Sequence, residues 1–151
     1  MSKHVNLWSP RPDAEAFAAL TPNIHIYGLP LITIGRQILT KNDKAALAAA
    51  DTLIFTSHHA VIHSVAQLPN TTLADKVRIA IGQRTASTLA KHNLPAHLTA
   101  PPPFNSEALL ADPQFQSQAS NHVALVCGVG GRRQLQNHLA VAKSPINWMP
   151  Y

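Results

Sequence analysis

The sequence lacks several features that assign a chain to a common class of protein. It has one cysteine, Cys127, among 151 residues, so an internal disulfide is impossible and no cysteine cluster for zinc is present. No apolar run approaches the roughly 18 to 20 residues of a membrane span. The first residues, MSKHVN, lead into a strand-like run rather than a secretory leader. These absences predict a cytoplasmic protein.

Aromatic and charged residues are also scarce. Phe, Trp and Tyr make up 5% of the chain, too little for the stacking surface that single-strand nucleic-acid binders use. Charged residues total 13%, yet 12 Lys and Arg face 7 Asp and Glu, which leaves a formal charge of +5. That surplus favours an anionic partner, either a nucleic acid or an acidic small molecule. Because the positive residues are scattered, the nucleic acid is the weaker alternative.

Motifs of several enzyme classes are missing as well. The glycines at 128–131 have neither the third glycine of a dinucleotide fingerprint nor the GK[ST] of a phosphate-binding loop. No GxSxG elbow or suitably spaced acid pair indicates a hydrolase. His59 and His63 have the i, i+4 spacing of two metal ligands, but no carboxylate or cysteine lies near them in sequence. We therefore expect no metal, and we expect Cys127 to be a buried thiol rather than a nucleophile.

Short apolar runs alternate with helical patterns along most of the chain. The apolar runs predict strands at 53–56, 77–81, 96–99 and 123–127. The helical patterns lie at 43–50, 60–67, 85–92, 106–110 and 133–141. This alternation predicts an α/β fold with a doubly wound parallel sheet. The first 29 residues, with strands at 5–8 and 24–26 around a helix at 13–20, are too short to close a core of their own.

A polar loop follows each of the four predicted strands. The loops are Thr56–His59, Gly82–Thr85, Phe104–Ser106 and Gly128–Arg132. Open parallel sheets bind ligands beyond the carboxyl ends of their strands, and helix N-termini offer N–H groups and partial positive charge to anions. The loops therefore predict a site for carboxylates or phosphates. The alternative is ordinary helix capping, since Ser, Thr and Asn are preferred N-caps in any protein.

Several of these segments resemble motifs of the uroporphyrinogen-III synthase family, in the family's order. Residues 54–61 are similar to its FTSxNAV segment, 79–86 to aiGxxTA, 104–110 to fdSExLL and 128–135 to GxxgRxxL. Residues 10–12 resemble TRP, 29–31 resemble aPLl, and 149–151 resemble the end of vpvY. The chain departs from these motifs with His58 and His59 in the SxN segment and with Pro10 in place of threonine.

The resemblance implies an architecture of two flavodoxin-like lobes, the first of them built from both ends of the chain. Residues 1–29 would then be an N-terminal fragment of the first lobe, and 30–145 a complete second lobe. Residues 146–151 would form a crossover strand back toward the first lobe. The chain is shorter than the usual member of the family.

The resemblance also implies an activity. The family closes hydroxymethylbilane, an octacarboxylate, to uroporphyrinogen III with inversion of the last ring and loss of water, in heme biosynthesis. No cofactor is needed. Tyr151 would assist departure of the hydroxyl group. The residues that would bind the substrate are Thr56, Ser57, His58, Gly82, Thr85, Ser106, Gly128, Arg11, Arg84 and Arg132.

The partner would be this small molecule, with neither nucleic acid nor membrane, and the protein a monomer. The alternative from a different class is a non-catalytic lobe that binds an acidic tetrapyrrole or another anion without turnover.

Overall fold

The computed structural model describes residues 5–10, 24–31, 33–117, 122–128, 134–141 and 146–150. The chain divides into two compact units, Met1–Arg36 and Gln37–Tyr151. Parallel strands form the sheets of both units, and helices accompany the larger sheet, which confirms the predicted α/β class. Within the described segments, every helix is too short or too polar to cross a bilayer.

In the described part of the smaller unit, two parallel strands pair. These are β1 (Val5–Ser9) and β2 (Ile24–Gly28), with Val5 opposite Ile24 and Ser9 opposite Gly28. The rings of Trp8 and Tyr27 stack with their centroids 4.9 Å apart. Large apolar side chains of both strands are exposed, and a two-stranded pair is by itself too small to be stable in water. The helix predicted at 13–20 lies outside the described residues.

The boundary between the two units falls after Arg36, which is later in the sequence than the boundary at residue 30 that the family resemblance implies. The chain after β2 stays bonded to the first strand, since Leu29 N donates to Ser9 O at 2.8 Å. Leu31 N donates to Pro10 O at 3.2 Å. These backbone bonds keep residues 29–31 in the smaller unit.

The larger unit alternates strands and helices as the sequence pattern predicts. Its strands are β3 (Thr52–Phe55), β4 (Val77–Ala80), β5 (Leu98–Thr99), β6 (Val123–Cys127) and β7 (Ile146–Pro150). Its helices are α1 (Lys41–Ala49), α2 (His58–Val65), α3 (Asn70–Ala74), α4 (Gln83–Lys91), α5 (Ser106–Ala111), α6 (Pro113–Ser117) and α7 (Gln134–Val141).

All five strands of this sheet are parallel, in the order β5-β4-β3-β6-β7. If the five strands of this sheet are renumbered 1 to 5 in chain order, their order across the sheet is 3-2-1-4-5. This is one of the two common doubly wound orders, flavodoxin itself having the other. The direction of winding reverses between β3 and β6. A crevice therefore opens beyond the carboxyl ends of these two strands, where such sheets bind ligands.

Alternate residues of the central strands face two separate cores. Leu53 and Phe55 belong to a core that also contains buried residues of α1 to α4, whereas Ile54 belongs to one with residues of α5, α6 and α7. Every residue of β3 and of β6 is buried. Helices thus cover both faces of the sheet, and this burial fixes the strand ends that carry the polar loops.

Two short helices of this unit, α3 and α6, were not predicted. Each has five residues, too few to show a helical period. A signal for α6 was nevertheless present, because Asp112 precedes Pro113 and accepts a hydrogen bond from Gln114 N at 2.8 Å. Aspartate before a proline at the first helical position is a common helix start.

The last described strand belongs to the larger sheet. Residues 146–151 were expected to cross back toward the first lobe, and Ile146–Pro150 form β7, paired in parallel with β6 from Val123 to Cys127. Since Tyr151 lies outside the described residues, the crossover stays a prediction.

Candidate functional site

The crevice at the switch point is closed at its base by backbone contacts between the two central strands. Thr56 N donates to Val126 O at 3.1 Å, and the Thr56 hydroxyl donates to the same oxygen at 3.3 Å. Gly128 follows two residues after Val126 and is half-buried. The loops after β3 and β6 therefore begin side by side, as the sequence analysis expected of them.

The loop after β3 ends in a capped helix. Ser57 is the N-cap of α2, and its hydroxyl accepts a hydrogen bond from Ala60 N at 3.2 Å. No acidic residue lies in the first turn of α2, where acids usually offset the positive end of the helix dipole. The first turn of α2 therefore does not itself offset that positive end.

Three histidines of the same helix have neighbouring rings, with His58 and His59 in its first turn and His63 in its last turn. The ring centroids of His58 and His59 are 3.9 Å apart, and those of His59 and His63 are 6.2 Å apart. Among the described residues, no three His, Cys, Asp or Glu side chains form a group that could hold a metal ion.

The loop after β4 adjoins the loop after β3. Ile81 N donates to Phe55 O at 3.1 Å, and Gly82 is then the N-cap of α4. This cap makes no side-chain hydrogen bond, and the first turn of α4 also lacks an acid. Arg84 in that turn is exposed. Thr85, predicted to bind substrate, is buried with 4% of its surface exposed.

Gly82 has no structural need to be glycine. Its φ of −135° is open to any residue, and a Cβ built there would meet no atom within 4 Å. A serine would cap the helix better. A glycine at this position instead leaves the N–H groups of α4 uncovered, which suits close approach of a ligand to the backbone.

The loop after β5 lies at the far end of the same edge. Ala100 N donates to Ala80 O at 2.9 Å, which joins it to β4. Asn105, and not Ser106, caps α5, accepting from Ala108 N at 2.8 Å. Glu107 occupies the first turn, so this helix start is less suited to a carboxylate than those of α2 and α4.

A cavity of about 570 Å³ lies beside α5, and the sequence analysis did not predict it. Prolines 101–103 and 113 form much of its wall, together with Glu107 and Asp112. The two carboxylates make this cavity a poor fit for a substrate rich in carboxylates. No sequence motif indicated it, because its lining comes from two helices and the loop before them.

The structure therefore brings together four of the predicted binding residues at the switch point and on the neighbouring strand: Thr56, Ser57, Gly82 and Gly128. His58 and Arg84 lie in the first turns of the two adjoining helices. Ser106 lies farther along the edge, and Thr85 is buried. Arg11, Arg132 and Tyr151 lie outside the described residues.

Among the described residues, the two titrating groups with a clear pKa shift lie at the opposite, amino-terminal edge of the sheet. Burial lowers the pKa of Arg78, whose guanidinium donates to Leu73 O at 2.9 Å, Ala74 O at 2.6 Å, Lys76 O at 2.8 Å and Pro95 O at 3.1 Å. Burial and, secondarily, the charge of Arg78 lower the pKa of His97, which accepts from Arg78 N at 3.0 Å through Nδ1. Both contacts hold the start of β4 rather than the crevice.

The fold is a doubly wound α/β domain, and polar loops follow the carboxyl ends of its central strands. A family model described as uroporphyrinogen-III synthase HemD matches residues 23–147. The chain belongs to this family, as its motifs predicted.

Solved structures of uroporphyrinogen III synthase from the extreme thermophile Thermus thermophilus resemble the chain. The wild-type structure is 22% identical, with a TM-score of 0.59 over 97% of this chain and 61% of that one. A selenomethionine mutant gives 19% identity and a TM-score of 0.62, with the same coverage. A third structure gives 20% and 0.56 over 98% of this chain and 62% of that one. The chain thus spans about three fifths of these proteins, and a comparison with curated proteins found no match.

Proposed function

We propose that the chain acts in tetrapyrrole biosynthesis as a uroporphyrinogen-III synthase, closing hydroxymethylbilane with inversion of the last ring and loss of water. The observation that carries this proposal, beside family membership, is the pair of adjoining helix N-termini after β3, at the switch point, and after the neighbouring strand β4. Neither α2 nor α4 has an acid in its first turn, and both begin at the same edge of the sheet. An octacarboxylate needs such donors, and the net charge of +5 favours its approach.

The crevice would bind the substrate mainly through its backbone. The N–H groups that follow Ser57 and Gly82 would donate to carboxylates. The Ser57 hydroxyl already accepts one hydrogen bond, and a hydroxyl that accepts can also donate. The Thr56 hydroxyl would exchange its 3.3 Å bond to Val126 O for a carboxylate, at little cost because that bond is long.

The reaction itself needs little from the protein beyond folding the linear substrate. The pyrrole nitrogen can expel the hydroxyl group to give an azafulvene, so holding the two ends of the tetrapyrrole close together is the main task. Tyr151 would donate a hydrogen bond to the departing hydroxyl. His58, Thr85, Ser106, Gly128, Arg11, Arg84 and Arg132 are proposed as further binding residues on the strength of their motifs.

A coupled assay tests the proposal. Hydroxymethylbilane is generated in situ, the 151-residue chain is added, and the uroporphyrin isomers are separated after oxidation. We expect isomer III above the level of a control without protein. Isomer I alone, at every protein concentration, would contradict the proposed activity.

The alternative function is a lobe that binds an acidic tetrapyrrole without converting it. The observation that favours it is the coverage of about three fifths of the Thermus enzymes. It predicts binding of uroporphyrin III, an octacarboxylate, without formation of isomer III. The same protein sample measured by fluorescence titration and by the coupled assay therefore separates the two functions.

The proposal names a small molecule as the partner. We expect no nucleic acid or membrane to take part, and we expect the protein to act as a monomer in the cytoplasm. Size-exclusion chromatography with light scattering tests the monomer.

A further inference from the structure

Phe104 adopts a backbone conformation that bulky residues avoid. Its φ is 58°, in the left-handed region, where the side chain of an L-amino acid crowds the following carbonyl group. Phe104 N donates to Pro101 O at 2.8 Å, and the N-cap Asn105 follows at once. The turn and the cap together hold the residue in this conformation. A glycine would satisfy the same turn without strain.

The other described non-glycine residue with positive φ has a plain structural reason. Asn93, with φ of 59°, follows α4 in a Schellman motif. Leu94 N donates to Leu89 O, and Asn93 N donates to Ala90 O, both at 3.0 Å. Asparagine tolerates this position. Nothing comparable requires a phenylalanine at 104, and strained residues of this kind cluster at ligand sites.

Phe104 also exposes 38% of its surface, on the edge of the sheet that carries the candidate site. It lies in the loop after β5, and β5 is separated from β3 by one strand, β4. With neighbouring strands about 4.8 Å apart, the loops after β3 and β5 begin about 10 Å from each other. A linear tetrapyrrole, with four rings joined in a row, is long enough to cover that distance.

We propose that the ring of Phe104 binds the substrate by stacking on one of its pyrrole rings. The proposal rests on the proposed synthase function and adds a residue to its binding site. Flat electron-rich rings stack in an offset or edge-to-face arrangement. The loop after β5 is suited to an apolar contact of this kind, because Glu107 in the adjoining helix turn disfavours a carboxylate there.

The test uses three variants of the full chain. Phe104→Leu removes the aromatic ring and keeps an apolar side chain, while Phe104→Tyr keeps the ring. Phe115→Leu is the matched control. Phe115 lies in α6 and is only 6% exposed, with its ring in the hydrophobic core. Thermal unfolding shows that each variant is folded, binding of uroporphyrin III is followed by fluorescence, and KM and kcat are measured in the coupled assay.

We expect Phe104→Leu to weaken binding and raise KM about five-fold, which corresponds to the loss of one aromatic stacking contact. Phe104→Tyr and Phe115→Leu should bind as the wild type does, although the second lowers the unfolding temperature. If the wild type forms isomer III and Phe104→Leu binds as tightly, the inference is wrong and the proposed function stands. If the wild type neither binds uroporphyrin III nor forms isomer III, the proposed function and this inference both fail.

Discussion

Gly82→Ser should make the protein more stable and less active. Gly82 has nearly the same backbone geometry as the capping Ser57, with φ and ψ of −135° and 160° against −154° and 163°. The new serine can therefore accept a hydrogen bond from the first turn of α4, as Ser57 does from Ala60 N in α2. Its side chain would occupy the open space in front of that turn, where a Cβ meets nothing within 4 Å.

The size of both effects follows from the same geometry. Replacing glycine where the backbone angles suit other residues stabilises by about 0.4 to 1 kcal/mol, and a serine cap adds about 0.3 kcal/mol over glycine. The sum, about 1 kcal/mol, raises the unfolding temperature of a unit of this size by about 4 °C. Losing one charge-assisted hydrogen bond to the substrate should lower kcat/KM about ten-fold or more.

The control stabilises the same helix from its other end. Asn93→Gly relieves the left-handed conformation after α4, about 14 Å from Gly82 along a nine-residue helix. It should stabilise by about 0.5 kcal/mol and leave activity unchanged. Thermal unfolding and the coupled assay are measured for both variants. Full activity in Gly82→Ser, or an equal loss in both variants, would refute the assignment of this helix start to the substrate.

Three further predictions concern stability, each measured by chemical denaturation. Arg78→Met removes the guanidinium that donates hydrogen bonds to main-chain carbonyls. It should lower the free energy of unfolding by about 3 kcal/mol, and a loss under about 1 kcal/mol would contradict this. The lowered pKa of His97 means that the unfolded chain binds more protons, so stability should fall as the pH drops below about 6.5. His97→Asn keeps an acceptor without titrating and should weaken that dependence. Thr40→Ala breaks the capping box with Asp43 and should cost about 1 kcal/mol.

The sequence predicted the larger unit well because its central strands are apolar throughout. Residues 123–127 were predicted as a strand and form β6 with the same bounds, since strands covered on both faces appear as continuous apolar runs. The predicted helices agree with the structure to within about two residues at most ends. The failures were short elements, α3 and α6, in which capping matters more than periodicity.

The candidate site was predictable only as a set of loops. The positions of Thr56, Ser57 and Gly82 at one edge of the sheet were predictable, because the carboxyl ends of parallel strands share an edge. The sequence could not show which of Asn105 and Ser106 caps α5, since both residue types cap helices, and Asn105 does. Nor could it show that Thr85 is buried, because burial in the first turn depends on what packs against the helix.

Charge in the first turns distinguishes the helix starts that the sequence analysis treated as equivalent. The first turns of α2 and α4 contain no acid, whereas the first turn of α5, farther along the edge, contains Glu107. Glu107 also lines the proline-walled cavity with Asp112. A substrate with eight carboxylates would therefore lie with its charged groups toward α2 and α4. At the β5 end of the edge, the exposed ring of Phe104 would offer an apolar contact. The order of the three helix starts along the edge would then orient the substrate.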